Sequence, residues 1–192
     1  KLINLYKDGL QREQFIPFIS LIEKKSVQKE LFLEDDYRTQ NQDNNQRIFH
    51  PLNEKTLFKI NQKFRIFTKN FKKEEKKINT KGRVFKINNY YEGLARFSFK
   101  ELCDQNLGAE DYLNISQICD HIFIEMVPVF TEYNSNQQLR FITLIDILYE
   151  KKISLTLSME AGLNKIGTSK KHSEIFKRTT SRLHEMTMSK YS

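Results

Sequence analysis

The sequence predicts an α/β fold, and three consecutive segments in its second half support that prediction. Residues 121–127, HIFIEMV, are almost continuously apolar, as a strand buried on both faces is. Residues 137–152, QQLRFITLIDILYEKK, repeat apolar side chains at helical spacing, with Phe141 and Ile145 on one broad stripe. Residues 153–158, ISLTLS, alternate in polarity as a strand does. Strand, helix and strand in this order form a βαβ unit, whose crossover we expect to be right-handed. We also expect the apolar residues of these three segments to share one core: Ile122, Phe123, Ile124, Phe141, Ile145, Leu148 and Leu155.

The earlier elements follow from the same patterns of spacing and polarity. Apolar residues at helical spacing predict two helices, and short apolar or alternating runs predict three strands. Polar stretches, one of them ending in proline, predict a loop and a charged connector. In chain order these are a helix over 10–25, a strand over 27–33, a loop over 34–51, a helix over 53–70, a connector over 71–82 and strands over 82–87 and 94–99.

Two capping-box patterns mark the starts of helices. Ser98 is followed three residues later by Glu101, which predicts a short helix running through Cys103. Ser135 and Gln138 repeat the pattern at the start of the predicted 137–152 helix. Between them a further helix is expected from about residue 109.

The composition is that of a folded chain rather than a disordered one. Of 192 residues, 39% are apolar and 12% aromatic, which is enough to bury a core. No apolar run approaches the roughly 18 residues that a membrane span needs. The two cysteines lack metal-ligand spacing and predict reduced thiols of an intracellular protein. Because the first residue is lysine and no signal peptide precedes the fold, we expect a missing start or a piece of a longer protein.

Positive charge is concentrated in one part of the chain. The formal net charge is +8, and residues 47–87 hold thirteen Lys or Arg against three Glu. Such an excess attracts nucleic acid or anionic lipid. The alternative is a lysine-rich solvated face without a ligand.

No complete catalytic motif is present in the sequence. Neither a GxxxxGK[ST] nor a GxGxxG phosphate loop occurs, and GxSxG, HExxH and DxDxDG are also absent. The four histidines, His50, His121, His172 and His184, are scattered, so we expect structural roles for them and no metal site. From motifs alone the chain is an α/β domain without an assigned reaction.

Two arginines near the end of the chain stand out. In FKRTTSRLHEMTMSKYS, Arg178 and Arg182 are four residues apart and lie on one face of a helix. They could be solvated, or paired with Glu174 and Glu185 at helical spacing. They could instead bind a ligand rich in anionic oxygens, such as a triphosphate or the carboxylates of a partner.

Several stretches together resemble the C-terminal part of the ZapE-like AAA+ ATPases, whose mitochondrial relatives include the lactation-elevated protein. The resemblance extends in order over most of the chain. It is carried by LYKDGLQREQFIPFI at 5–19, DYR at 36–38, ARFSFKELCDQNLGAEDYL at 95–113, RFITLIDILYE at 140–150 and FKRTTSRLHEMTMSKY at 176–191.

The resemblance implies that the chain is the C-terminal part of a P-loop ATPase, with the P-loop, the Walker B acidic motif and a sensor asparagine upstream. It also implies three regions. Residues 1–38 end the ATPase core, 39–81 form a polar and basic insertion or helical linker, and 82–192 form a C-terminal α/β domain. ATP and Mg²⁺ would bind only the full-length protein, and this part alone would be inactive.

The resemblance assigns roles to four arginines. AAA+ proteins use arginines outside the P-loop to contact the γ-phosphate, one of them a finger from the adjacent subunit. Arg12 is the expected catalytic finger. Arg140, Arg178 and Arg182 are the expected cofactor-binding residues, in sensor or interdomain roles.

The leading hypothesis is therefore an ATPase that remodels proteins and acts in cell division or, in the mitochondrial members, in protein quality control. We expect protein partners, a homo-oligomer in full-length form, peripheral association with a membrane and no nucleic acid. The expected location is the cytoplasm, at the inner membrane or, in a eukaryote, the mitochondrial matrix. The alternatives are a non-enzymatic module that binds nucleic acid or anionic membrane through 47–87, and a protein-docking domain.

Overall fold

A computed structural model describes residues 12–26 and 46–187. The chain divides into two compact units, Lys1–Asn41 and Gln42–Ser192. In the first unit, helix α1 spans Arg12–Lys25, which confirms the helix predicted there. The predicted strand at 27–33 and most of the predicted 34–51 loop lie outside the described residues.

The described part of the second unit is built on a mixed six-stranded sheet, which confirms the α/β class. The strand order is β1-β6-β5-β4-β3-β2. Strands β1, β6, β5 and β4 are parallel to one another, whereas β3 and β2 continue the sheet in antiparallel fashion. The strands are β1 (Ile48–Phe49), β2 (Glu74–Thr80), β3 (Arg83–Tyr91), β4 (Leu94–Ser98), β5 (His121–Val127) and β6 (Ser154–Met159).

Helices connect and cover these strands. They are α2 (Glu54–Thr68), α3 (Phe99–Cys103), α4 (Ala109–Ser116), α5 (Ser135–Glu150) and α6 (Ser173–Met186). The predicted capping box of α3 is confirmed, because the Ser98 backbone N–H donates to the Glu101 carboxylate at 2.7 Å and Ser98 Oγ accepts from the Glu101 N–H at 3.3 Å. None of the helices described is long and apolar enough to cross a bilayer.

The predicted βαβ unit is confirmed by the pairing of β5 with β6. The two strands are parallel, with Ile122 opposite Leu155 and Ile124 opposite Leu157, and α5 connects them. A parallel neighbour requires a crossover connection, and the sixteen-residue α5 supplies it.

The sheet has a separate apolar core on each face. Ile122 and Ile124 belong to the larger core, which also contains Phe141 and Ile145 of α5. Phe123 belongs to a smaller core under α2, with Phe49, Ile60, Phe64 and Leu94. The expectation that Phe123 shares one core with its neighbours is therefore wrong, because successive side chains of a strand point to opposite faces.

The predicted charged connector at 71–82 is wrong, because most of it is strand β2. Ile78 and Thr80 alternate inward while their neighbours stay exposed, and β2 pairs with β3 along its length. Lys81 and Gly82, both with positive φ, form the turn of this hairpin. The predicted domain boundary at 81/82 falls in this turn, inside the second unit. Strand β1 likewise lies within the predicted loop.

The predicted capping box of Ser135 with Gln138 is also wrong. Asn134, not Ser135, is the N-cap of α5. The Gln138 side chain is fully buried and binds the loop before α6 instead, because its Oε1 accepts from the Ser169 N–H at 3.0 Å and from Ser169 Oγ at 2.8 Å. Gln138 therefore satisfies buried polar groups of that loop rather than a helix terminus.

Candidate functional site

The two arginines of α6 both bind one carboxylate of α5. Arg178 Nη2 donates to Asp146 Oδ2 at 2.7 Å, and Arg182 Nη1 donates to Asp146 Oδ1 at 2.5 Å. Arg182 Nη2 lies 3.3 Å from Glu150 Oε1. Each Asp146 oxygen is thus occupied by a different guanidinium, in charge-assisted hydrogen bonds. We call these four residues the arginine cluster.

Two further side chains surround the arginine cluster. The Arg182 guanidinium lies over the Tyr149 ring, 4.7 Å from its centroid. The Tyr149 hydroxyl donates to Glu185 Oε2 at 2.8 Å. This hydrogen bond to a carboxylate is the main reason that the pKa of Tyr149 is raised. The phenol therefore stays protonated and continues to donate at neutral pH.

Helical spacing accounts for the arrangement of the arginine cluster. Asp146 and Glu150 are four residues apart on α5, as Arg178 and Arg182 are on α6, so each pair lies on one helix face. The inner stripe of α6 is buried and holds the helix in place; its members are Phe176, Thr179, Leu183 and Met186. Packing of α6 therefore brings the arginines to α5.

The partners differ from those that local spacing suggested. Glu174 and Glu185 were one alternative for the partners, yet both arginines bind Asp146 of α5, at sequence separations of 32 and 36 residues. Glu185 instead accepts from Tyr149. The alternative of two merely solvated arginines holds only in part, because Arg178 is 57% exposed but Arg182 is 19% exposed.

Arg140 lies apart from the arginine cluster. Its Nη1 donates to the carbonyl oxygen of Cys103, at the end of α3, at 3.3 Å. Arg140 and Asp146 are six residues apart on α5, which places them on different faces of the helix. The structure therefore joins Arg178 with Arg182 and leaves Arg140 elsewhere.

Arg12 is the first residue of α1, and its side chain lies outside the described residues. Since α1 belongs to the first unit, no geometry relates Arg12 to the other three arginines. Its role as a finger stays a prediction.

The arginine cluster does not by itself fit the phosphates of ATP. A phosphate site needs donors that are free for the ligand, usually with a glycine-rich loop. Here Arg178 and Arg182 are bound to Asp146, whose negative charge would repel a phosphate. Within the described ranges, no group of three or more His, Cys, Asp or Glu could hold a metal ion. A nucleotide role for Arg140, Arg178 and Arg182 stays a prediction. The observed contacts of Arg178 and Arg182 favour a role in attaching α6 to α5.

A second charged cluster, on the α2 face of the sheet, was not predicted from the sequence. Arg96 Nη2 of β4 donates to Glu125 Oε1 of β5 and to Asn61 Oδ1 of α2, both at 2.6 Å. The guanidinium lies 4.8 Å from the centroid of the Phe64 ring. Arg96 and Glu125 are only 21% and 15% exposed. The sequence contains one signal for this cluster, which is a single arginine or glutamate within each of two mainly apolar strands.

His121 has a structural role, as the sequence predicted. Its Nε2 lies 2.9 Å from Thr156 Oγ1 of the adjacent strand. Burial, with smaller contributions from the positive charges of Arg47 and Lys63, lowers the pKa of His121 to about 3. His121 is therefore neutral at physiological pH.

The two cysteines, Cys103 and Cys119, are free and buried. Burial raises the pKa of both, that of Cys119 to about 12. Neither forms the thiolate that a nucleophile requires at neutral pH.

Comparison with known proteins identifies the class of protein to which this α/β chain belongs. Residues 3–192 match the family described as AFG1-like ATPase. The chain is therefore a member of the AFG1-like ATPase family, and the resemblance seen in its sequence is confirmed.

The curated relatives it resembles are longer proteins. The chain is 32% identical over 165 residues to lactation elevated protein 1 homolog B of Danio rerio, covering 84% of this chain and 33% of the relative. It is 26% identical over 187 residues to cell division protein ZapE of Escherichia coli K12, and this match covers 97% of this chain and 50% of the relative. The chain thus spans about a third to a half of their length. No solved structure matches it significantly.

Proposed function

We propose that this chain is the C-terminal part of an AAA+ ATPase that uses ATP and Mg²⁺ to remodel other proteins. The observation that carries the proposal is the match of residues 3–192 to the AFG1-like ATPase family. Because the chain covers at most half of its longer curated relatives, the nucleotide-binding residues are expected in the part of the protein that it does not cover.

ATP binding by these 192 residues alone is not expected. The sequence lacks the P-loop, whose backbone N–H groups and lysine hold the phosphates. Arg178 and Arg182 are bound to Asp146.

Calorimetry with ATP and Mg²⁺ tests both parts of the proposal. The 192-residue chain should show no binding, whereas the protein extended by its upstream sequence should bind and hydrolyse ATP. Micromolar binding of ATP to the 192-residue chain alone would contradict the proposal that the nucleotide-binding residues lie in the upstream sequence. An upstream sequence without GxxxxGK[ST] would overturn the ATPase proposal itself.

For Arg12 we propose the role of a finger that acts on the neighbouring subunit of a homo-oligomer. A finger stabilises charge on the γ-phosphate in the transition state, so its loss should lower turnover more than nucleotide affinity. In the complete protein, Arg12→Ala and Arg12→Lys should both lower kcat, by up to about 10³–10⁵-fold. Lysine retains the charge but loses the planar fork of donors.

Mixing subunits provides the control for Arg12. Arg12→Ala subunits combined with subunits inactivated in the P-loop should regain part of the activity, because some interfaces then hold one intact finger and one intact P-loop. Near-normal turnover of Arg12→Lys, with no recovery on mixing, would show that Arg12 is an ordinary surface arginine.

We further propose that the complete protein has protein partners, in cell division for a bacterial protein or in quality control for a mitochondrial one. One relative is named as a cell division protein. We place the complete protein in the cytoplasm or the mitochondrial matrix, at the inner membrane. Depletion of a bacterial gene should lengthen the cells, and unchanged cell length at full depletion would count against a role in division.

A further inference from the structure

The outward face of α2 carries large apolar side chains beside cationic ones. Phe58 and Ile66 are 67% and 59% exposed. They are eight residues apart and share one helix face, along which the exposed Lys55, Arg65 and Lys69 also lie. We call these five residues the α2 ridge. Its apolar and cationic side chains alternate over four helical turns.

The fold does not account for the α2 ridge. The opposite face of α2 packs Ile60 and Phe64 into the smaller core, so the helix is already anchored to the sheet. Leaving a large apolar side chain in water forgoes the free energy of its burial. Phe58 and Ile66 therefore gain from a surface that covers them.

The charge around the α2 ridge is strongly one-sided. Residues 54–73 hold seven Lys or Arg against one Glu. In the part of the chain that the structure describes, Lys55, Arg65 and Lys69 form no ion pair, whereas Lys81 and Lys86 of the β2–β3 hairpin pair with Glu110 and Glu75. Beyond α2 the exposed Phe71, Lys72 and Lys73 continue the same combination.

We propose that the α2 ridge binds the surface of a membrane that contains anionic lipids. The cations complement the negative headgroups, and Phe58 and Ile66 enter the boundary between headgroups and acyl chains. Cations with an aromatic side chain also suit single-stranded nucleic acid. Ile66 decides between the two, because an aliphatic side chain has no ring to stack on a base but is stabilised by burial in lipid. The proposal does not depend on ATP hydrolysis.

Co-sedimentation of the 192-residue chain with vesicles tests the proposal. We compare phosphatidylcholine vesicles with vesicles in which a quarter of the lipid is phosphatidylserine, at about 0.05 and 0.5 M NaCl. The chain should bind the anionic vesicles at low salt, and much less at high salt or without phosphatidylserine. Arg65→Gln combined with Lys69→Gln should weaken binding about 30-fold, from about fivefold per lost charge.

The apolar part of the ridge has a separate test. Phe58→Gln combined with Ile66→Gln leaves the net charge unchanged and should weaken binding about tenfold or more, since each inserted side chain contributes apolar burial. Val84→Gln combined with Tyr133→Gln changes two other exposed apolar residues, at 60% and 99% exposure, and should bind like the unchanged chain.

The charge control is Lys151→Gln combined with Lys177→Gln, which removes two exposed cations outside α2. This control should retain vesicle binding, and the circular dichroism of every variant should match that of the unchanged chain. Equal losses in the ridge and control variants would overturn the proposal, because binding would then follow net charge alone. Tighter binding to a single-stranded oligonucleotide than to anionic vesicles, or no binding to vesicles, would also overturn it.

Discussion

Replacement of Asp146 by Asn should weaken the attachment of α6 to α5. The Asp146 carboxylate accepts from Arg178 at one oxygen and from Arg182 at the other. Asparagine retains the size of the side chain but loses its charge and one of the two acceptor oxygens. The partly buried Arg182 guanidinium then keeps its contacts with Glu150 and the Tyr149 ring, but the acceptor of its shortest hydrogen bond no longer carries a negative charge.

The expected loss of stability follows from the exposure of each pair. Arg182 and Asp146 are 19% and 26% exposed, so their charge-assisted hydrogen bond contributes about 1.5–3 kcal/mol. Arg178 is 57% exposed, and screening by solvent limits that pair to about 0–1 kcal/mol. We therefore expect Asp146→Asn to lower the free energy of unfolding by about 1.5–3 kcal/mol. For a chain of this length, that corresponds to a fall in Tm of about 3–12 °C.

Urea unfolding followed by circular dichroism, in a double-mutant cycle, measures the pair directly. The cycle combines Asp146→Asn with Arg182→Ala and should give a coupling energy of about 1–2 kcal/mol. Asp104→Asn is the matched control, because Asp104 is an aspartate whose carboxylate accepts from the neutral Gln137. The control should change stability by less than about 0.5 kcal/mol.

Two results would refute this reasoning. A coupling energy between Asp146 and Arg182 below about 0.3 kcal/mol would show that the hydrogen bond contributes nothing measurable. If Arg178→Ala lowered the free energy of unfolding as much as Arg182→Ala, the more exposed ion pair would contribute as much as the less exposed one, which contradicts the ranking by exposure.

Three further predictions concern the sheet. His121 has a pKa of about 3 in the folded chain against 6.5 unfolded, so its contribution to the free energy of unfolding is full above pH 6.5 and is lost as the pH falls towards 3. The loss between pH 7 and 5 is about 2 kcal/mol. His121→Gln should make stability less dependent on pH in this range, and an unchanged pH dependence would contradict the prediction. Leu155→Ala should lower the free energy of unfolding by about 2–5 kcal/mol, because Leu155 is fully buried. The amide hydrogens of β5 should be among the slowest in the chain to exchange, and rapid exchange throughout β5 would count against this core. In urea unfolding, Glu125→Gln should lower the free energy of unfolding by about 2 kcal/mol or more, because it breaks a largely buried ion pair. Glu75→Gln, which breaks an exposed pair, should lower it by less than about 0.5 kcal/mol. Equal losses would contradict the ranking of the two pairs by burial.

The centre of the fold could be predicted because burial leaves a direct pattern in the sequence. Strand β5 is covered on both faces, so its residues form a continuous apolar run, and α5 needs a broad apolar stripe to cover the sheet. The same pattern cannot separate the two faces of a buried strand when all its residues are apolar. This is why Phe123 was assigned to the wrong core.

Strand β2 could not be predicted because it is an edge strand. In EEKKINT only Ile78 and Thr80 are buried, and the remaining residues are mostly charged. Lysines and glutamates on an edge strand keep it from pairing with other chains, and they also remove the apolar alternation by which strands are recognised. Strand β2 is identified as a strand only by its antiparallel pairing with β3 in the structure.

The arginine cluster shows a similar limit for the candidate site. Spacing of four residues correctly placed Arg178 and Arg182 on one helix face, yet local spacing could suggest only partners within the same helix. Their actual partner, Asp146, is more than 30 residues away, in a helix that reaches them through the packing of the larger core. The shared helix face of the two arginines could be predicted from the sequence, whereas their partner Asp146 is determined by the tertiary structure.

Because Asp146 and a phosphate would compete for the same two guanidinium groups, Asp146→Asn also separates the two roles of these arginines in the complete protein. If Arg178 and Arg182 contact nucleotide, binding requires their release from Asp146, and the coupling between the two events is reciprocal. The substitution should then tighten ATP binding while it destabilises the fold. If the arginines only attach α6 to α5, the fold is destabilised to the same extent and ATP affinity does not change. The sign of the change in ATP affinity, measured beside the change in stability, therefore distinguishes a nucleotide sensor from a structural clamp.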